Sequence, residues 1–171
     1  IEPDNLFEMY YSKGIFQFSI VSEIIKSLLT AKDLSDSITL SEFYEFTKID
    51  HHFFTVEMNS FKKVDLNHIS HPDLSLITAL EMSSAVPILC KPVFIEDKCY
   101  IDGGLFDNYP INECMLNEKC TEDQILGICN KWTHDDLRAS ENMNLFQYLQ
   151  VSVQQIVKYV RKENEARSIR Y

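Results

Sequence analysis

A chain of 171 residues, 45% of them hydrophobic, is long enough to bury one sizeable core and too short for two ordinary domains. Its 16 basic against 26 acidic residues leave a net charge of −10, which opposes loose attraction to nucleic acid or to an anionic bilayer. Nucleic acid is therefore excluded as a partner, and any membrane contact has to be local and apolar.

No apolar run approaches the roughly 20 residues that cross a bilayer, and no basic-then-apolar leader opens the sequence. The expectation is a soluble, cytoplasmic protein with at most peripheral membrane contact. The first residue is Ile1 rather than Met, which reads as a processed product or a fragment. Cys90, Cys99, Cys114, Cys120 and Cys129 are odd in number, lack the paired spacing of zinc sites and sit mostly in apolar surroundings. They read as buried reduced thiols.

In chain order, "GIFQFSIVSEIIKSLLTAKD" puts Ile15, Phe18, Val21, Ile25, Leu28 and Leu29 at helical spacing, an amphipathic helix. Thr39 and Glu42 in "TLSE" have the spacing of a capping box, so "LSEFYEFTK" is a short helix. "HHFFTVEMN" concentrates aromatic and β-branched residues as a strand does. In "HPDLSLITALEMSSAVP" a helix starts near Pro72 and Asp73 and stops by Pro87, and Ser83, Ser84 and Ala85 let its end approach a neighbour closely. "KPVFIEDKCYID" is two strands around a turn at Glu96, Asp97 and Lys98. A helix follows from Pro110, "DQILGICN" reads as a compact apolar strand, and a last helix runs from about 144 to 170 with Leu145, Leu149, Val153, Ile156 and Val160 on one face. Helices alternating with short, nearly all-apolar strands imply an α/β fold with a mostly parallel sheet flanked by helices.

The segment "CYIDGGLFDNYP" carries the chemistry. Only four glycines occur in the chain, and two of them, Gly103 and Gly104, follow Asp102 directly. Glycine permits positive φ and close approach to the main chain, and a carboxylate at the carboxyl end of a strand is a candidate for catalysis in an open α/β sheet. A tight turn closing a strand accounts for the same residues.

"EMSSAVPILCKPVFIEDKCYIDGGLFDNYPINE" resembles the distal half of a patatin-like lipid acyl hydrolase domain: a small-residue S-S-A-x-P segment, a hairpin, then D-G-G/A-x-x-D-N-x-P. Upstream, the "TLSE" helix and following strand are similar to that family too, so the resemblance covers most of Lys13 to Cys129. It implies a Ser–Asp dyad in which the aspartate acts directly as the serine's general base. On this resemblance Asp102 is the catalytic base and Gly103 and Gly104 are the glycines supporting it, while Asp107 and Asn108 match positions that look structural. The substrate class implied is a phospholipid or neutral glycerolipid ester, with no organic cofactor and no metal.

The family's serine sits in G-x-S-x-G, and its oxyanion hole comes from an earlier glycine-rich loop. With glycines only at 14, 103, 104 and 127, this chain cannot form either. Ser83 and Ser84 lack flanking glycines and read as packing positions. Residues 1–171 are therefore expected to be the C-terminal portion of one patatin-like domain, inactive alone and prone to associate without the N-terminal part of that domain. A non-catalytic interaction module with the same fold is the alternative. The histidines of "DHH" at 50–52 and "NHISHPD" at 67–73 include His68 and His71 at near-helical ligand spacing, but Pro72 and the want of further ligands argue against a metal. The basic end, "KYVRKENEARSIRY", reads as a solvated helix tail, with contact to lipid head groups or a partner as its other reading.

Overall fold

The computed structural model describes residues 13–16, 19–128, 138–145, 147–149, 151–156 and 158. The expected tail from 159 onward, including Val160, lies outside them, as do Phe18 and Cys129. The chain divides into two compact units, residues 1–103 and 104–171.

In the first unit the elements run β1 (Gly14–Phe16), α1 (Ser19–Thr30), α2 (Leu40–Thr47), β2 (Phe53–Glu57), β3 (Lys62–Leu66), α3 (Leu76–Ser83), β4 (Ile88–Cys90), β5 (Val93–Ile95) and β6 (Lys98–Asp102). The α/β class holds, but the main sheet corrects the expected topology. Its four strands lie in the order β3-β2-β6-β5 and every neighbouring pair is antiparallel. The only parallel pair among the described residues is β1 with β4. Connection length explains two of the three pairs. β2 and β3 are joined by the turn at 58–61 and β5 and β6 by Glu96 and Asp97, and links this short can close only antiparallel pairs.

The hairpin turns carry their own chemistry. Glu96 and Phe61 adopt left-handed φ of 53° and 51°. The carboxylate of Glu57 accepts from the backbone N–H groups of Asn59 and Ser60, each at 2.9 Å, and from the Ser60 hydroxyl. That hydroxyl first, and the N–H groups after it, hold the Glu57 carboxyl below its ordinary pKa. A lowered carboxyl pKa stabilises the fold fully above the unfolded value and loses that contribution as the pH falls through the lowered one. Glu57→Gln should therefore lower stability at neutral pH and flatten the acid limb of a melting-temperature profile below about pH 4.3.

Helix α2 begins where the sequence places it. The Glu42 N–H donates to Thr39 Oγ1 at 3.2 Å and the Thr39 N–H donates to Glu42 Oε2 at 2.9 Å, the reciprocal capping box. Thr39 also bridges Ser75, the N-cap of α3, whose hydroxyl oxygen accepts from the Thr78 N–H at 3.1 Å. The two helix starts are thus tied together. Thr39→Ala should cost about 1 kcal/mol, read as a melting temperature lower by roughly 2–4 °C. Helix α3 starts at Leu76, a few residues after the expected Pro72–Asp73, because Ser75 supplies the cap.

The core gathers Leu29 from α1, Ile38 and Leu40 at the start of α2, Leu66 from β3, Leu76, Ala79 and Met82 from α3, and Tyr100 from β6. Helix α1 starts at Ser19, because Gly14–Phe16 forms β1 instead of the helix's first turn. It buries Leu29 and packs Ile25, while Val21, Ile24 and Leu28 are exposed. The buried stripe is narrower than the periodicity implies because α1 meets the core along one edge, against α3.

In the second unit a 3₁₀ turn (Gly103–Leu105) overlaps the boundary and leads to α4 (Ile111–Glu118), entered through Pro110 as expected. The described part of "DQILGICN", residues 123–128, is not a strand. A 3₁₀ turn spans Glu122–Gln124, and Leu126 and Ile128 are 91% and 88% exposed, so the apolar run finds no sheet neighbour within the described residues. Helical backbone recurs at the described positions between 145 and 158. It opens with a reciprocal pair in which Gln147 N–H donates to Asn144 Oδ1 and Asn144 N–H to Gln147 Oε1. No helix among the described residues is long and apolar enough to cross a membrane.

Candidate active site

Asp102 is the last residue of β6, half-buried at the strand's carboxyl end. Strand β2 lies between β3 and β6, with Thr55 opposite Asp102 and Val56 opposite Ile101. Directly opposed residues of an antiparallel pair project on the same face. Asp102 therefore shares its face with Thr55, the face on which α3 packs. Three contacts hold the backbone around it. The Asp102 N–H donates to the Ala85 carbonyl at 3.0 Å. The hydroxyl of Thr55 reaches the carbonyl of Ile101, the residue before, at 2.7 Å. Gly103, the residue after, is buried against the backbone of Phe54 in β2.

This arrangement separates the two expected reasons for Gly103, and close approach is the one it shows. None of the four glycines has positive φ, so no unusual dihedral demands one. A Cβ at Gly103 would instead stand 2.2 Å from the carbonyl oxygen of Phe54 and 2.5 Å from its carbon, a clash with main chain that no side-chain rotamer relieves. The glycine is there for the strand behind it, and the space in front of Asp102 is a separate matter. Gly104 continues the 3₁₀ turn.

The S-S-A segment does what its small side chains permit. Ser83 ends α3, Ser84 is exposed at its C-cap, and the buried Ala85 presents the carbonyl that receives the Asp102 N–H. Neither serine sits on a strand-to-helix turn of the kind that exposes a nucleophile. In the second unit, Asp107 Oδ1 accepts the Tyr109 N–H at 2.9 Å, an Asx turn just ahead of α4. That contact ties Asp107 to its own loop.

Cys90, at the end of β4, feels the site. Burial pushes its thiol up and the negative charge of Asp102 adds to the rise, so Cys90 stays a neutral thiol at physiological pH and makes a poor nucleophile. Cys99 is buried and Cys90, Cys114 and Cys120 are half-buried, all four as free thiols.

The histidine segments come together differently from their spacing. His68 and His71 do not converge: His71 Nδ1 lies 2.9 Å from Ser70 Oγ. His52 Nδ1 instead meets both carboxylate oxygens of Asp65 at 2.8 and 2.9 Å, with Nε2 3.5 Å from Asp50. His68 Nδ1 lies 3.0 Å from the other oxygen of Asp50 and its ring stacks on Tyr44 at 3.7 Å. These contacts tie the segment entering β2 to β3 and to the loop leaving it, and that loop to α2.

Sequence reasoning passed over Thr55. The signal was present, a single hydroxyl inside the apolar run "HHFFTVEM", but its importance depends on which strand lies opposite. Phe54, whose backbone Gly103 abuts, carried no signal at all.

The family model for the patatin-like phospholipases matches residues 2–115. The chain is also 26% identical over 99 residues to the probable lipid hydrolase 463L of Invertebrate iridescent virus 6, a match covering 58% of this chain and 34% of that protein. It thus spans about a third of the length of the curated relative it matches. No solved structure matches significantly. A family match over two-thirds of the chain, centred on the sheet that presents Asp102, places it: the chain belongs to the patatin-like phospholipase family.

Proposed function

We propose that this chain is the distal part of a lipid acyl hydrolase domain, in which Asp102 is the general base of a Ser–Asp dyad. The observation that carries the reading is the delivery of Asp102 to the carboxyl end of β6 by three separate backbone restraints, within a segment of the family's D-G-G-x-x-D-N-x-P form. Lipid substrates follow from the family and from the name of the viral relative.

The serine comes from a part of the domain outside these 171 residues. In the first half-reaction Asp102 takes the proton of that serine's hydroxyl as its oxygen attacks the ester carbonyl. Collapse of the tetrahedral adduct expels the alcohol, which receives the proton from Asp102, and leaves an acyl-serine. Water then attacks, Asp102 takes its proton, and the fatty acid leaves as the proton returns to the serine. No metal or organic cofactor enters these steps. A phospholipid or glycerolipid is the proposed ester, met at a membrane surface from the cytoplasmic side.

The test is hydrolysis of a short-chain ester and of phospholipid vesicles by the full-length protein that contains this chain. Turnover that depends on Asp102 supports the reading. A folded but inert protein leaves the non-catalytic interaction module in its place.

A further inference from the structure

Thr55 is a fully buried polar residue in the middle of the sheet. Its Oγ1 lies 2.7 Å from the carbonyl of Ile101 in β6 and 3.1 Å from the carbonyl of Met82 in the last turn of α3. One hydroxyl proton is thereby shared between carbonyls of two neighbouring elements. Met82 is among the final carbonyls of its helix, which have no partner within the helix. Ile101 immediately precedes Asp102, and Thr55 stands directly opposite Asp102 on the same face. Two residues beyond α3, the Ala85 carbonyl accepts the Asp102 N–H. The end of α3 and the end of β6 are therefore joined twice, once through Thr55 and once through Ala85, and Asp102 lies between the joints.

Valine would fill nearly the same volume at this position and keep the β-branch that suits a strand. The hydroxyl is the part that packing does not call for. We propose that Thr55 is a positioning residue that sets the height of Asp102 at the end of β6, so that the carboxylate stands where an incoming serine can give up its proton. This rests on the reading of Asp102 as the dyad base. The Thr55 hydroxyl is committed to the carbonyls of Ile101 and Met82. It acts through the Ile101 carbonyl and the end of α3.

The experiment compares wild type, Thr55→Val, Thr55→Ser and Asp102→Asn in the full-length protein, with kcat and KM for a short-chain ester and a thermal melt for each. Thr55→Val is expected to stay folded and to lower kcat by about 10-fold or more with KM unchanged, since a 1 Å misplacement can cost about 100-fold. Thr55→Ser keeps the hydroxyl and is expected to hold kcat near wild type even though it loses a buried methyl. That pattern follows the hydroxyl, whereas a purely structural role would follow the melting temperature. A Thr55→Val protein as active as wild type beside an inert Asp102→Asn overturns the positioning role and leaves the dyad standing. Equal loss in the Val and Ser variants, or a Val variant that does not fold, assigns Thr55 to the core and overturns it as well. If Asp102→Asn is itself fully active, the base assignment fails and the positioning role falls with it.

Discussion

In the full-length protein, Asp102→Asn is expected to slow ester hydrolysis by roughly 10²- to 10⁴-fold, the range that a positioned general base contributes. Asparagine keeps the size and planarity of the side chain but has no basicity, so the variant should fold and bind ester with KM little changed. The loss appears in kcat because the base acts only as the serine's proton moves. Asp107→Asn is the matched control. Asp107 uses one oxygen to accept the Tyr109 N–H at 2.9 Å, and the amide oxygen of asparagine can do the same, so that variant should retain activity. Equal loss in both variants would mean that the D-G-G-x-x-D-N segment responds as a fold element, and the assignment of Asp102 as base would fail.

Gly103→Ala is expected to be the most destabilising single methyl in the region. Two effects oppose one another. Because Gly103 does not have positive φ, alanine would ordinarily stabilise by about 0.4–1 kcal/mol through the unfolded chain. Against that stands a Cβ 2.2 Å from the Phe54 carbonyl oxygen, and forcing β2 and β6 apart at a packed position costs typically about 1–3 kcal/mol or more. The clash wins, because its partner is main chain inside a four-stranded sheet and cannot rotate away. Melting of the variant should fall by roughly 2–8 °C, with activity falling too because Asp102 is the adjacent residue. A variant as stable as wild type would show that the sheet has slack at this point and that the glycine serves something else.

Both expectations rest on long-range contacts, and these divide what could be read from the sequence from what could not. The capping box of Thr39 and Glu42 spans three residues and forms as its spacing implies. The hairpin around Glu96 and Asp97 is equally local, and so is the helix entered at Pro110. The strand over Phe53–Glu57 was legible from its β-branched and aromatic run. Asp102 was legible as well, as a carboxylate ending an apolar strand ahead of two glycines.

The direction of the sheet was not. Alternating helices and apolar strands suggest parallel pairing, but the sheet is assembled from two hairpins whose inner strands, β2 and β6, lie side by side. "DQILGICN" failed for a related reason: apolarity makes a strand only where a neighbour accepts its hydrogen bonds, and among the described residues this run has none.

By itself, then, the sequence determined the α/β class, the local helix and hairpin signals and the carboxylate of Asp102 at the end of its strand. Only the tertiary structure decided that Thr55, 46 residues away from Ile101, braces the end of β6 and that Gly103 is small because Phe54 lies behind it. The physical reason is one of range. Caps and turns are set by hydrogen bonds between residues a few positions apart, whereas register across β2 and β6 is chosen by the packing of the whole core, and no window of sequence contains both strands.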